Sequence, residues 1–117
     1  MMTKAHDPKL LHCPALIAIR AISGKWKTRV LWLLRERPHH FGEMKGLLPG
    51  VSAKVLSEQL RQLADDNIVC SQEVMRGGVL LVRYQYTLYG KTLVPVLDLL
   101  GGWGNAHEDR VRSKTDT

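Results

Sequence analysis

Cysteine is scarce in this chain. Two thiols, Cys13 and Cys70, in 117 residues cannot build a disulfide framework, and no CxxC pair points to a zinc or thioredoxin-type site. Long hydrophobic runs are missing as well. No window approaches the roughly 18 apolar residues of a bilayer-spanning helix. The opening stretch, MMTKAHDPKLLHCP, has no apolar segment of the kind that forms a secretory signal. A soluble, cytoplasmic protein with reduced thiols is expected. Phosphate-cradling glycine motifs are absent, both GxGxxG and the P-loop. No nucleophile–base pair or carboxylate dyad stands out. The five histidines, at 6, 12, 39, 40 and 107, follow no metal-ligand spacing. No enzyme, no cofactor and no metal is expected.

Negative charge is the other shortage. Eleven acids face 17 lysines and arginines, leaving a net charge of +6 and a pI near 9.6. A basic domain of this size attracts polyanions, with nucleic acid as the default partner. Charge speaks to association rather than fold, so an ordinary basic soluble protein is the bland alternative.

What is present is a run of short amphipathic segments. Residues 1–12 read as a flexible basic arm, 13–107 as one domain and 108–117 as a polar tail. Cys13-Pro14 opens a first helix, about Ala15 to Ile22, because proline suits the first helical position and leaves Cys13 as the cap. Ser23-Gly24 breaks it. A second helix spans Lys25 to Glu36 and stops before Pro38, which pushes its predecessor out of the α region. His39-His40 reads as a loop leading into a third helix, Phe41 to Leu48. Leu48-Pro49-Gly50-Val51 has turn chemistry.

A fourth helix follows, capped by Ser52 and closing at Asn67, a residue suited to left-handed backbone. Lys54, Ser57, Glu58 and Arg61 share one face; Ala53, Leu56, Leu60 and Leu63 share the opposite one. Such a helix docks on a core with one side and offers the other to a DNA major groove. Ile68 to Met75 and Val82 to Tyr86 read as strands around an Arg76-Gly77-Gly78 turn. Val79-Leu80-Leu81 is apolar at an exposed tip, and fits either an extended strand or a partner contact. A last helix, Leu88 to Arg112, is capped by Thr87. It contains Pro95 and Gly101-Gly102, so it is bent or begins nearer Pro95. Its tail from Glu108 is expected to fray.

This order predicts a mainly α fold with a small β-hairpin wing: a winged helix-turn-helix with extra N- and C-terminal helices that dimerise. The C-terminal stripe of Leu93, Val96, Leu97, Leu100 and Trp103 exceeds the needs of a small core and is the predicted dimer interface.

Several motifs carry a resemblance. They are the Cys-Pro opening, Gly24-Lys25-Trp26-Lys27, Phe41-x-Glu43, Gly50-x-Ser52, Leu56-x-x-x-Leu60-Arg61-x-Leu63, Tyr84-x-x-Thr87-x-x-Gly90, and Pro95-Val96-Leu97 with Trp103-Gly104. Together, over about Cys13 to Trp103, the chain resembles the HxlR-type transcriptional regulators, a MarR-like winged-helix group. The resemblance implies a dimeric DNA-binding regulator, often self-regulating, often acting on a neighbouring gene for detoxification or stress response. One stretch departs from it. Wings in that group commonly carry an acidic, proline-containing tip, where this chain has Met75-Arg76-Gly77-Gly78-Val79-Leu80-Leu81.

The expected partner is a double-stranded, pseudo-palindromic operator bound by a homodimer. Ser52, Lys54, Ser57, Glu58 and Arg61 are the candidates to face bases and phosphates, and Arg76 and Arg83 are the wing candidates. Cys13 reads either as a small unreactive cap or as a sensor. The helix N-terminus, Lys9 and His12 would favour its thiolate, and several members of the resembled group sense electrophiles or oxidants through the cysteine at this position. A winged-helix interaction module without DNA binding and a regulator gated by a small apolar ligand are the competing readings.

Overall fold

The computed structural model describes residues 12–116 of the chain. Residues 1–11 of the expected basic arm, Lys9 among them, lie outside the described residues. Five helices and a three-stranded antiparallel sheet make up a winged helix-turn-helix: α1 (Pro14–Ile22), α2 (Lys25–Leu34), β1 (His39–His40), α3 (Phe41–Leu47), α4 (Ala53–Asp65), β2 (Val69–Arg76), β3 (Val79–Tyr86) and α5 (Val94–Asp116).

One expectation is corrected in the sheet, and one open choice falls to the extended strand. His39-His40 is a strand, pairing with Tyr84 and Arg83, so the order is β1-β3-β2. The hairpin also runs further than alternation alone suggested. Val79, Leu80 and Leu81 lie within β3, opposite Arg76, Met75 and Val74. Gly77 and Gly78 both take positive φ, +57° and +79°. Two left-handed residues in a two-residue loop match the right-handed twist of the flanking strands, which is why the turn needs them.

The core is built from α1 (Ile22), α2 (Val30, Leu31, Leu34), α3 and its turn (Met44, Leu48, Val51), α4 (Leu56, Leu60, Leu63), the sheet (Val69, Tyr86), Ile68 and Leu97. Tyr86 donates from its hydroxyl to the Leu31 carbonyl at 2.6 Å. Burial pushes that phenol above its ordinary value. Alternation on β3 sends Tyr84 and Tyr86 toward the helices and Arg83 to the opposite face of the sheet.

Asn67 closes α4 in the left-handed region (φ +59°) as expected, with Ile68 N–H reaching back to the Leu63 carbonyl at 2.9 Å. Thr87 caps, but not the long helix. Its hydroxyl accepts from Gly90 N–H at 2.8 Å and donates to the Asn67 carbonyl at 2.7 Å. That fastens a 3₁₀ turn, Gly90–Leu93, ahead of α5. A Cβ on Gly90 would stand 1.9 Å from the Ile68 carbonyl oxygen, so only glycine fits.

Of the two options for the last helix, the later start holds. Pro95 sits in the first turn of α5, where its missing N–H costs nothing. The helix continues without a break at Glu108, as far as Asp116. Gly101 lies under the Trp32 indole, and a Cβ there would come within 2.4 Å of Cη2. The Arg35 guanidinium stacks over that ring, 3.8 Å from its centre, and reaches Asp98 Oδ1 at 2.7 Å. Trp32 therefore packs against α5.

The predicted dimer stripe divides in two. Leu97 is 2% exposed and belongs to the chain's own core, and Leu93 packs half-buried against it. Val96, Leu100 and Trp103 remain exposed. Helical spacing brought all five into one stripe, but the stripe is wide enough to touch the core on one edge and solvent on the other.

Candidate nucleic-acid interface

Helix α4 is aimed by its buried edge. Leu56, Leu60 and Leu63 are fully enclosed, which fixes the rotation of the helix and turns Lys54, Ser57, Glu58 and Arg61 outward. Ala53, expected among the docking residues, is exposed on the first turn. Val55, unmarked in the sequence reading, is also partly exposed there. Ser52 is the cap, its Oγ accepting from Val55 N–H at 3.1 Å. The turn before it is closed by Val51 N–H on the Leu48 carbonyl at 3.1 Å, with Gly50 at φ +93° beside the Trp26 ring.

The outward line is electrically tied up along its own length. Arg61 Nη2 donates to Glu58 Oε1 at 2.6 Å and Nη1 to Asp65 Oδ2 at 3.2 Å. Gln62 also donates to Glu58, at 3.3 Å. The Arg61 hydrogen bond, then the Gln62 one, hold the Glu58 carboxyl below the usual carboxylate range. Lys54, Glu58, Arg61 and Asp65 together carry no net charge. Pairs this exposed are weak and salt-screened, so Arg61 can exchange its carboxylates for a base edge or a phosphate.

Positive charge next to this helix comes from a place the sequence reading passed over. Lys25 and Arg29 flank the Trp26 ring, at 4.8 Å and 5.4 Å from its centre, and that ring abuts the Gly50 turn. The signal was the Lys-Trp-Lys-Thr-Arg run, in which i and i+4 bring both cations to one aromatic. Lys27 bridges α2 to α4 through Gln62 Oε1 at 2.8 Å. A recess of about 350 Å³ separates α4 from the wing, lined by Ser57, Phe41, Gly42, Leu80, Val82 and Tyr84 among others.

The two wing candidates do not share this side. Arg83 lies on the face of the sheet turned away from the helices, and its Nη2 donates to Gln72 Oε1 at 2.8 Å. Arg76 ends β2 beside the glycine turn, on the same face.

These features together define the chain's class. The HxlR-like helix-turn-helix family model matches residues 21–112. The chain belongs to that family. Among its relatives is YdeP of Bacillus subtilis (strain 168), an uncharacterized HTH-type transcriptional regulator, 33% identical over 99 residues that span 85% of this chain and 77% of YdeP. Among solved structures, the redox regulator HypR in its reduced form superposes with a TM-score of 0.78 at 28% identity, over 86% of this chain and 99% of HypR. The reduced form of the transcriptional regulator YodB from B. subtilis gives 0.69 at 26% identity, over 80% of this chain and 92% of YodB. This HxlR-family chain is a helix-turn-helix transcriptional regulator, and its relatives are regulators rather than enzymes. No helix among the described residues is long and apolar enough to cross a membrane.

Cys13 is the N-cap of α1, exposed, with no capping hydrogen bond from its side chain. Cys70 is half-buried on β2 opposite Gln85. Both are free thiols. Apolar side chains are exposed on both terminal helices: Ile17 is 56% and Ile19 54% exposed on α1, and Leu99 is 77% and Trp103 68% exposed on α5.

Proposed function

We propose that this HxlR-family regulator is a homodimeric repressor that reads a pseudo-palindromic operator through α4 and responds to oxidants or electrophiles through Cys13. The supporting observation is the placing of α4, whose three enclosed leucines turn Ser52, Lys54, Ser57, Glu58 and Arg61 outward between a basic aromatic cluster and the wing. A helix so held can present side chains to base edges, and Lys25 and Arg29 are suited to flanking phosphates.

Pairing is supported by apolar area left bare on α1 and α5, with Leu16, Ile17, Ile19, Leu99, Leu100 and Trp103 all exposed. Patches of this kind mark association surfaces. The redox response is supported by the exposed, uncommitted thiol of Cys13 on the same helix α1, and by the likeness to HypR, which is named a redox regulator. A thiol at that border would transmit its oxidation to subunit packing.

A mobility shift on the duplex upstream of the protein's own gene tests the reading. Binding is expected with reduced protein, release after mild oxidant, and persistence of binding in Cys13→Ser under the same oxidant. Light scattering should return twice the 13.2 kDa chain mass. Absence of a specific shift overturns the DNA reading. A shift indifferent to oxidant overturns the redox part alone.

A further inference from the structure

Behind the wing lies a second hollow, of about 350 Å³, lined by Arg37, Pro38, His40, Glu43, Arg76 and Arg83. It joins the loop after α2, the start of α3 and both strands of the hairpin. Two of its arginines, Arg37 and Arg83, are held in place. Arg37 is clamped on Glu43 through both terminal nitrogens and reaches the Pro38 carbonyl at 3.1 Å. The Glu43 carboxyl is held down at about 2 by that clamp, with smaller help from His39 and the His40 N–H, so it stays ionised. Arg83 is oriented by neutral Gln72 and leaves its Nε buried without a hydrogen-bond partner among the described residues. His40 caps α3, its side chain facing the Glu43 backbone N–H. Arg76 forms no ion pair among the described residues.

Three guanidinium charges against one carboxylate leave two positive charges facing the hollow. The buried Arg83 Nε lacks a partner among the described residues, and a buried polar atom in that state is costly unless a ligand or water meets it. Planar guanidinium forks fixed in advance match phosphate oxygens. A phosphomonoester near neutral pH carries about −1.5 to −2, which complements the residual charge.

We propose that the hollow behind the wing, lined by Arg37, His40, Arg76 and Arg83, is a phosphate-binding site. It lies on the side of the hairpin away from α4 and does not rest on α4 reading DNA. Its ligand is a phosphorylated small molecule; a backbone phosphate of bound duplex is the competing occupant.

Nitrogen-15 NMR of the arginine Nε–H groups in the full chain tests this, with chloride at matched ionic strength as reference. Inorganic phosphate is expected to move the Arg83 and Arg37 signals saturably where chloride does not. Continued phosphate binding in the presence of the upstream duplex assigns the site to a free phosphorylated molecule. Exclusion of phosphate by the duplex makes the hollow part of the DNA contact and overturns the proposal. No saturable response to phosphate, or a response to duplex alone, overturns the proposal. Arg83→Gln should weaken phosphate binding about tenfold or more, the effect of losing one charge-assisted hydrogen bond. Arg76→Gln, at the exposed strand end, should weaken it severalfold with the fold intact. Unchanged phosphate affinity in a folded variant of either kind overturns the assignment.

Discussion

Two arginines in this molecule are held in opposite ways. Arg61 on α4 lies between two carboxylates of its own helix, Glu58 and Asp65. Arg83 on β3 is held by the neutral amide of Gln72 and keeps a nitrogen with nothing to bind. The first charge is cancelled until something displaces its partners; the second is uncancelled and already aimed. A groove reader profits from the first setting, because a neutralised arginine does not cling to every phosphate it meets, and discrimination then rests on geometry. A fixed anion site profits from the second.

The most disruptive way to break the contrast is to remove what aims α4. Leu60→Ala empties a fully packed position and should cost about 2–5 kcal/mol of stability. Chemical denaturation monitored by tryptophan fluorescence reads this directly, and a loss below about 1 kcal/mol would mean the helix docks by other contacts.

Next is the reader itself. Arg61→Ala should weaken binding to the upstream duplex by about 1–3 kcal/mol while leaving nonspecific binding nearly unchanged. Anisotropy titrations against specific and scrambled duplexes separate the two, and unchanged specific affinity would strike Arg61 from the reading set.

A smaller and opposite effect is expected from Glu58→Gln combined with Asp65→Asn. Freed of its partners, Arg61 becomes a general phosphate binder. The slope of log affinity against log salt should steepen by about 1 on nonspecific duplex. A slope identical to that of the parent protein would mean the carboxylates restrain nothing.

The smallest effect concerns pH. Glu43 titrates at about 2 in the fold against an ordinary 4.5. A depressed carboxyl contributes stability that is fully present above the unfolded value and is lost as pH falls through the folded one. The urea midpoint should therefore decline between about pH 4.5 and 2 in the parent more than in Glu43→Gln; parallel declines would remove the Arg37–Glu43 clamp from the account.

Much of this was legible in the chain. Ser52, Gly50 and the Leu56–Leu60–Leu63 spacing mark the docked helix, and Asn67 marks its end, because caps and periodicity are local properties. What escaped was decided by contacts distant in sequence. A strand of two residues has no pattern of its own, and His39-His40 becomes one only because Tyr84 and Arg83 lie alongside. Leu97 and Leu100 look alike on a helical wheel, yet one enters the core and the other does not. The alternation Val82-Arg83-Tyr84 shows that Arg83 and Tyr84 point apart, but not which of them faces α4. The Glu58–Arg61–Asp65 tie was available from i+3 and i+4 spacing, and its meaning emerges only once the leucines establish that this edge is outermost.

The indole of Trp32 rests in the notch left by Gly101, with Arg35 and Asp98 as a strap across it. Helix α5, with 23 residues, is a rod of about 35 Å, and that notch is the index mark on it. The reading head is seated where the missing side chain is. Shifting the glycine one turn along the rod would reseat the head by about 5.4 Å, a distance that matters to any pair of heads required to match two successive grooves. Residue 101 thereby fixes where α2 sits along α5.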